Sequence, residues 1–346
     1  MVRITDDILY RVEKPSRYVG GELNEVIKDP KEVDIRFGFC FPDVYEVGMS
    51  HLGSRILYHV LNQRKDTYCE RVYAPWPDME KLMRENNIPL YALETKDPIN
   101  EFNFLAFTLQ YEMSYTNILN MLNMGGIPLR ASERTEKDPL VIAGGPCAYN
   151  PEPLYDIVDI FQLGEGEEGL NDLLDLYQKH KDNFNKEAYL REASHIPSVY
   201  IPSLYDVTYN EDGTIKEFIP KYDDVPKKVK KRIINNFDQV DFPESLIVPY
   251  SEIVHDRVVL ELFRGCTNGC RFCQAGMIYR PVREKSRKTL LDQARKMLKA
   301  TGYDEVSLVS LSTCDYSDIQ GLVKDLIEEH GKNNVSVALP SIRVDA

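Results

Sequence analysis

The chain has no apolar run long enough to cross a bilayer. Its first residues, Met1-Val2-Arg3-Ile4-Thr5-Asp6-Asp7, hold neither an apolar core nor a small-residue cleavage site. A membrane helix needs about 20 consecutive apolar residues and a secretory signal needs an apolar segment of its own. The expectation is therefore a cytoplasmic protein with no membrane partner. Basic residues are also in deficit, 42 Lys and Arg against 55 Asp and Glu, for a net charge of −13. That excludes a general nucleic-acid coat, which requires a cationic excess, but leaves room for a local basic face. The densest basic run, Lys227-Lys228-Val229-Lys230-Lys231-Arg232, reads as a solvated linker or helix face. Cysteines are few and odd in number: of seven, three crowd into eight residues, while Cys40, Cys69, Cys147 and Cys314 are scattered. A secreted disulfide framework is not distributed in that way, and clustered cysteines in an intracellular chain point to metal or redox chemistry.

What is present is a globular composition, 43% hydrophobic and 28% charged over 346 residues, a length suited to about two domains. Residues 1–30 form a polar lead-in. From there strands are predicted at 35–41, 67–73, 90–93, 104–109, 140–143 and 157–163, and helices at 50–62, 78–85, 115–124 and, after Gly164-Glu165-Gly166-Glu167-Glu168, to about His180. Strands alternating with helices mean a parallel, doubly wound α/β sheet. Asp212-Gly213 between 205–209 and 215–219 predicts a hairpin, and a Pro- and Lys-containing connector follows. A second β/α series begins at Arg257, with strands at 258–263, 306–311 and 335–339 and helices at 289–301 and 317–329. The expected domains are 1–200, the lead-in and first α/β domain; 201–250, hairpin and connector; and 251–346, an incomplete β/α barrel.

The chemistry is carried by Arg264-Gly265-Cys266-Thr267-Asn268-Gly269-Cys270-Arg271-Phe272-Cys273. Three thiolates at C-x3-C-x2-C spacing can hold three irons of a four-iron, four-sulfur (4Fe-4S) cluster and leave the fourth open. Gly265 and Gly269 allow the backbone to bend around such a group. A zinc site completed by His255 and an electron-transfer cluster completed by Cys314 are the alternatives.

Cys266, Cys270 and Cys273, with Phe272 before the last of them and a strand leading into the loop, resemble the signature of radical S-adenosylmethionine (SAM) enzymes. The resemblance implies a 4Fe-4S cluster on the three cysteines and S-adenosyl-L-methionine chelated at the open iron, with Phe272 against the adenine. It further implies a reductive cleavage that yields a 5′-deoxyadenosyl radical, driven by a flavodoxin- or ferredoxin-like one-electron donor. Where the family often carries Gly-Gly-Glu, this chain reads Leu311-Ser312-Thr313-Cys314-Asp315. Ser312 and Thr313 are the candidate SAM contacts there, and Arg343, grouped with Ser341 and Asp345 at the end of the third strand, is a candidate for the SAM carboxylate. Only three barrel strands precede Ala346. About six β/α units are implied by the resemblance, so the chain is expected to be a fragment, or to be completed by a partner, and to be a poor catalyst alone.

Val141-Ile142-Ala143-Gly144-Gly145-Pro146, Asn150-Pro151-Glu152-Pro153-Leu154 and Leu163-Gly164-Glu165-Gly166-Glu167 resemble the cobalamin-binding-like domain that precedes many radical SAM barrels. Gly-rich loops at the carboxyl end of a sheet suit a nucleotide-like tail. The resemblance allows cobalamin as a ligand, but Glu46-Val47-Gly48-Met49-Ser50-His51-Leu52-Gly53 lacks the D-x-H-x-x-G pattern, and His51 reads as a residue at a helix start. A methylthiotransferase acting on RNA or protein is an alternative activity; it would require a second cluster, for which Cys40, Cys69 and Cys147 are the available thiols. A non-catalytic iron–sulfur scaffold or binding module is the alternative of another class.

Overall fold

The computed structural model describes residues 2–343. Alternating strand and helix in the first half produces one sheet of β1 (Ile35–Phe41), β2 (Thr67–Tyr73), β3 (Phe104–Thr108), β4 (Leu140–Gly144), β5 (Ile160–Gln162) and β6 (Val199–Tyr200). The spatial order is β2-β1-β3-β4-β5-β6. The first five strands are parallel, and β6 closes the edge antiparallel to β5, with Tyr200 opposite Phe161. All five residues of β3 are buried, as continuous apolar runs in a two-sided parallel sheet require. A short α1 (Asp6–Leu9) lies in the lead-in. Helices α2 (Tyr45–Ser50) and α3 (Leu52–Asn62) follow β1, α4 (Pro77–Glu85) follows β2, and α5 (Tyr115–Met124) follows β3. After β5 come α6 (Gly166–His180) and α7 (Lys186–Ala193). β1 lies between β2 and β3, so the winding reverses at the β1–β3 junction, where open α/β sheets place their ligand crevice.

Residues 90–93 correct a strand expectation. They are apolar and buried, but they do not join the sheet: Leu93 N bonds Arg71 O at 2.8 Å, whereas Leu90 N turns to Met124 O and Ala92 N to Asp97 O. Burial explains the apolar run without a ladder. In this half of the chain four elements have no clear sequence signal: α1, α2, α7 and the two-residue β6. The hairpin is present as β7 (Tyr205–Tyr209) paired with β8 (Ile215–Pro220), with Tyr205 and Phe218 stacked at 5.1 Å.

The second series comprises β9 (Val258–Glu261), β10 (Phe263–Arg264), α8 (Ala275–Ile278), β11 (Arg283–Glu284), α9 (Arg287–Thr301), β12 (Glu305–Val309), α10 (Ile319–His330) and β13 (Ser336–Ala338). β13, β12 and β9 form a parallel sheet in that order, with Val306 opposite both Val258 and Val337. α9 is capped at both ends: Ser286 accepts from Thr289 N, and Gly302 adopts the left-handed conformation that ends helices.

Contacts divide the chain into two units. One comprises Met1–Gly21, Val26–Gly48 and Leu57–Ile233; the other comprises Glu22–Glu25, Met49–Ile56 and Ile234–Ala346. The second half of the connector thus belongs with the β9–β13 series.

Candidate functional site

The cysteine loop begins where β10 ends, at the carboxyl end of the first strand of the β/α series, and returns through β11. β10 and β11 form its stem, pairing Phe263 with Glu284 and Arg264 with Arg283. Gly265 sits at the neck with φ +104°, and a Cβ there would lie 2.5 Å from Tyr279 O and 2.6 Å from Pro281 O. The outgoing and returning limbs therefore touch backbone to backbone, which only glycine permits. The three thiols are free; Cys270 is exposed, and Cys266 and Cys273 are half-buried. Among the described residues, no three His, Cys, Asp or Glu side chains gather closely enough to hold a metal ion.

A hydrogen-bonded triad ties this loop to the ends of the next two strands. Asn268 Nδ2 donates to Asp315 Oδ2 at 2.7 Å and lies 3.6 Å from Cys266 Sγ. Arg343 Nη1 donates to Asp315 Oδ1 at 2.6 Å and to Asn268 Oδ1 at 3.0 Å. Burial alone would raise the Asp315 pKa, but the Asn268 hydrogen bond and the Arg343 guanidinium hold it below the usual carboxylate value.

The structure brings the candidate residues of the second and third strands into this region. Ser312 is buried, and Thr313, also buried, donates from its hydroxyl to Pro340 O at 2.6 Å and from its amide to Ser341 O at 3.3 Å. Arg343 is engaged by Asp315. Phe272 projects from the loop, 93% exposed. Asp345 lies outside the described residues. Sequence reading missed Asn268 and Asp315. Their pairing spans 47 positions, and no local pattern signals it.

The donor set fits an iron–sulfur cluster. Three free, soft thiols lie on one glycine-containing loop with a fixed stem, and metal sites of this kind complete their geometry on binding. The scattered cysteines differ. Cys40 and Cys69 lie fully buried on β1 and β2, and burial pushes both thiols far above their ordinary pKa. Burial and the nearby Glu112 also raise Cys147. Protonated thiols in a sheet interior make poor ligands for a second cluster. His255 bonds through Nδ1 to Arg257 at 3.3 Å and, by burial and two nearby arginines, is held below its ordinary pKa.

His51 and the Gly164 loop are used by the chain itself, as the helix-start reading of His51 expects. His51 Nδ1 accepts from Ser54 N at 3.1 Å, capping the start of α3. Gly164 has φ +92°, and a Cβ there would collide with the backbone of Arg232. Arg232 N bonds Leu163 O at 2.9 Å, and its guanidinium pairs with Asp172 and Glu168. The end of the basic run thus lies over the glycine loop, whereas Lys227, Lys228 and Lys230 are exposed. These residues do not fit a cobalamin site as they stand.

A cysteine loop at the head of a parallel β/α series, preceded by a doubly wound domain, is the arrangement that the resemblance to radical SAM enzymes implies. The chain matches the family "Radical SAM proteins, N-terminal" over residues 53–202 and the "Radical SAM superfamily" over 260–346. The chain thus carries a radical SAM domain preceded by the N-terminal domain of radical SAM proteins. It is 26% identical over 308 residues to an uncharacterized protein of Methanocaldococcus jannaschii, covering 88% of this chain and 54% of the relative. It is 30% identical over 151 residues to the ribosomal protein uS12 methylthiotransferase RimO of Elusimicrobium minutum, covering 41% of this chain and 32% of that protein. Among solved structures it resembles TsrM of Kitasatospora setae, a radical S-adenosylmethionine methyltransferase with cobalamin and a [4Fe-4S] cluster bound. The TM-score is 0.55 at 12% identity, covering 87% of this chain and 55% of that one. A second TsrM structure, with tryptophan substrate and a SAM analogue, gives a TM-score of 0.50 at 13% identity, covering 87% and 54%. The chain spans about half the length of the first relatives it matches. No helix among the described residues is long and apolar enough to cross a membrane.

Proposed function

We propose that this chain carries the cluster-binding part of a radical SAM enzyme, with Cys266, Cys270 and Cys273 as the protein ligands of a 4Fe-4S cluster. The observation that carries this reading is the placement of three free thiols on one loop at the carboxyl end of the first parallel β/α strand. Cys266, Cys270 and Cys273 would hold the cluster, which, with a flavodoxin- or ferredoxin-like donor, would supply the one electron needed to cleave S-adenosyl-L-methionine into methionine and the 5′-deoxyadenosyl radical. The protein binds and orients. Gly265 sets the course of the loop. Asn268, Asp315 and Arg343 hold it against the following strand ends. Phe272, exposed on the loop, offers a face for adenine. Ser312 lines the same turn. Arg343 remains the candidate for the SAM carboxylate, an encounter that would exchange its Asp315 contact for the ligand.

The likeness to RimO leaves a methylthiotransferase as the alternative activity. The buried thiols of Cys40 and Cys69 weigh against the second cluster it requires. A scaffold holding the cluster without turnover is the remaining alternative. Anaerobic reconstitution followed by iron counting and a deoxyadenosine assay tests all three. Iron bound with deoxyadenosine released on reduction supports the proposal. Iron without SAM cleavage supports the scaffold, and about twice the iron of one cluster supports the methylthiotransferase.

A further inference from the structure

We propose that Phe237 is a positioning residue for the cysteine loop, acting through the two arginines of the loop's stem. This rests on the cluster reading above, and it assigns a role to connector residues that neither sequence pattern nor family match marks. Arg264 and Arg283 are direct cross-strand partners in β10 and β11. Like charges opposed in this way push strands apart, yet these two strands close the loop that carries all three thiols.

The ring of Phe237 meets both. Its centroid lies 4.9 Å from the Arg264 guanidinium carbon and 5.9 Å from that of Arg283. Lys285, the residue after β11, places its ammonium 5.1 Å from the same ring and 3.6 Å from that of Phe242. Phe237 is 2% exposed, so the negative face of its ring acts on these cations in a largely water-free setting, where such contacts are strongest. Glu261 takes Arg264 from the other side through two hydrogen bonds of 2.8 and 3.0 Å.

The connector is itself fastened around the ring. Arg283 Nη1 donates to Ile234 O at 3.0 Å. Asp238, the next residue after Phe237, accepts from Ser286 N at 2.6 Å, at the start of α9. The segment 234–242 therefore grips the returning limb of the loop at two points and holds both arginines on one ring. With the stem closed, Gly265 stays against Tyr279 and Pro281 and the cysteines leave the neck in a defined direction.

Hydrogen exchange of the iron-free chain tests the clamp. In Phe237→Leu, which keeps apolar volume and loses the ring, amides of 265–282 should exchange about tenfold faster while the sheet of β1–β6 is unchanged. Arg283→Ala removes the opposed charge itself, so in its background Phe237→Leu should add little, because the ring then has no like-charged pair to hold. Unchanged exchange in Phe237→Leu, or an equal acceleration by Phe237→Leu with and without Arg283, would overturn the clamp. Phe237→Met takes the same test if Phe237→Leu does not fold. Positioning is read separately, as iron release to a chelator from reconstituted protein. About tenfold faster release from the variant is expected; faster exchange with unchanged release would refute a positioning role. A wild-type chain that takes up no iron would sink the cluster reading itself, while the exchange result, which needs no iron, would still judge the clamp.

Discussion

Asn268 and Asp315 are joined by a 2.7 Å hydrogen bond that links the cysteine loop to the turn after β12. Arg343 closes the triad from beyond β13, so three successive strand ends meet at one carboxylate. The Arg343–Asp315 pair is more than one-third exposed on both sides, at 39% and 36%. Its worth to the fold is therefore small, and its value lies in where it holds the loop.

Asp315→Ala should accordingly lower global stability by less than about 1 kcal/mol while reducing iron retention after reconstitution. A thermal melt beside an iron assay separates the two effects. A large loss of stability with full iron content would contradict this division of roles.

Reconstituted wild-type protein is expected to be brown, with about four irons per chain, and each of Cys266→Ala, Cys270→Ala and Cys273→Ala should lose them. Combined alanine replacement of Cys40, Cys69, Cys147 and Cys314 should leave the iron in place. Iron retained by all three loop variants would refute the ligand assignment, and iron lost from the fourfold variant at unchanged fold would add a ligand.

The first unit should show an acid-sensitive lock at Glu46. Burial would raise its pKa, but a backbone bond and the Lys14 and Arg17 partners hold it below its ordinary 4.5. The Arg17 contact is 2.9 Å, with both side chains about nine-tenths buried. Because the folded value is the lower one, this stability is complete above pH 4.5 and is lost as pH falls through the folded pKa. Glu46→Gln should reduce stability at pH 7 by about 2 kcal/mol and flatten the acid limb in denaturant titrations at several pH values. An acid limb as steep as in the wild type would show that other carboxylates dominate.

Gly265→Ala combines a left-handed φ of +104° with a Cβ 2.5 Å from the Tyr279 carbonyl. The neck must open, at a cost of at least about 2 kcal/mol locally. Circular dichroism should stay close to wild type while cluster loading falls sharply. Normal loading would show that the neck tolerates opening.

Titration with hydroxocobalamin, followed by its visible absorbance, should show no binding in the micromolar range, because His51 caps α3 and Arg232 fills the space at Gly164. Saturable binding, or corrinoid carried through purification, would mean that the Arg232 segment moves aside.

What the sequence determined alone is what is local or periodic. The C-x3-C-x2-C spacing lies within eight residues, and the family likeness rests on it. The central parallel strands β3 and β4 were legible because strands covered on both faces read as near-continuous apolar runs. The same rule misled at 90–93, since apolar composition reports burial and not pairing. Tertiary structure decided the rest. Only the fold sets Asn268 against Asp315, lays Arg232 over Gly164, and places Phe237, in a stretch that reads as mere connector, beneath two arginines of the loop stem. These are contacts between distant positions made by short polar groups and single rings. Such contacts have no period and no run length, and their chemistry exists only once the chain has closed around them.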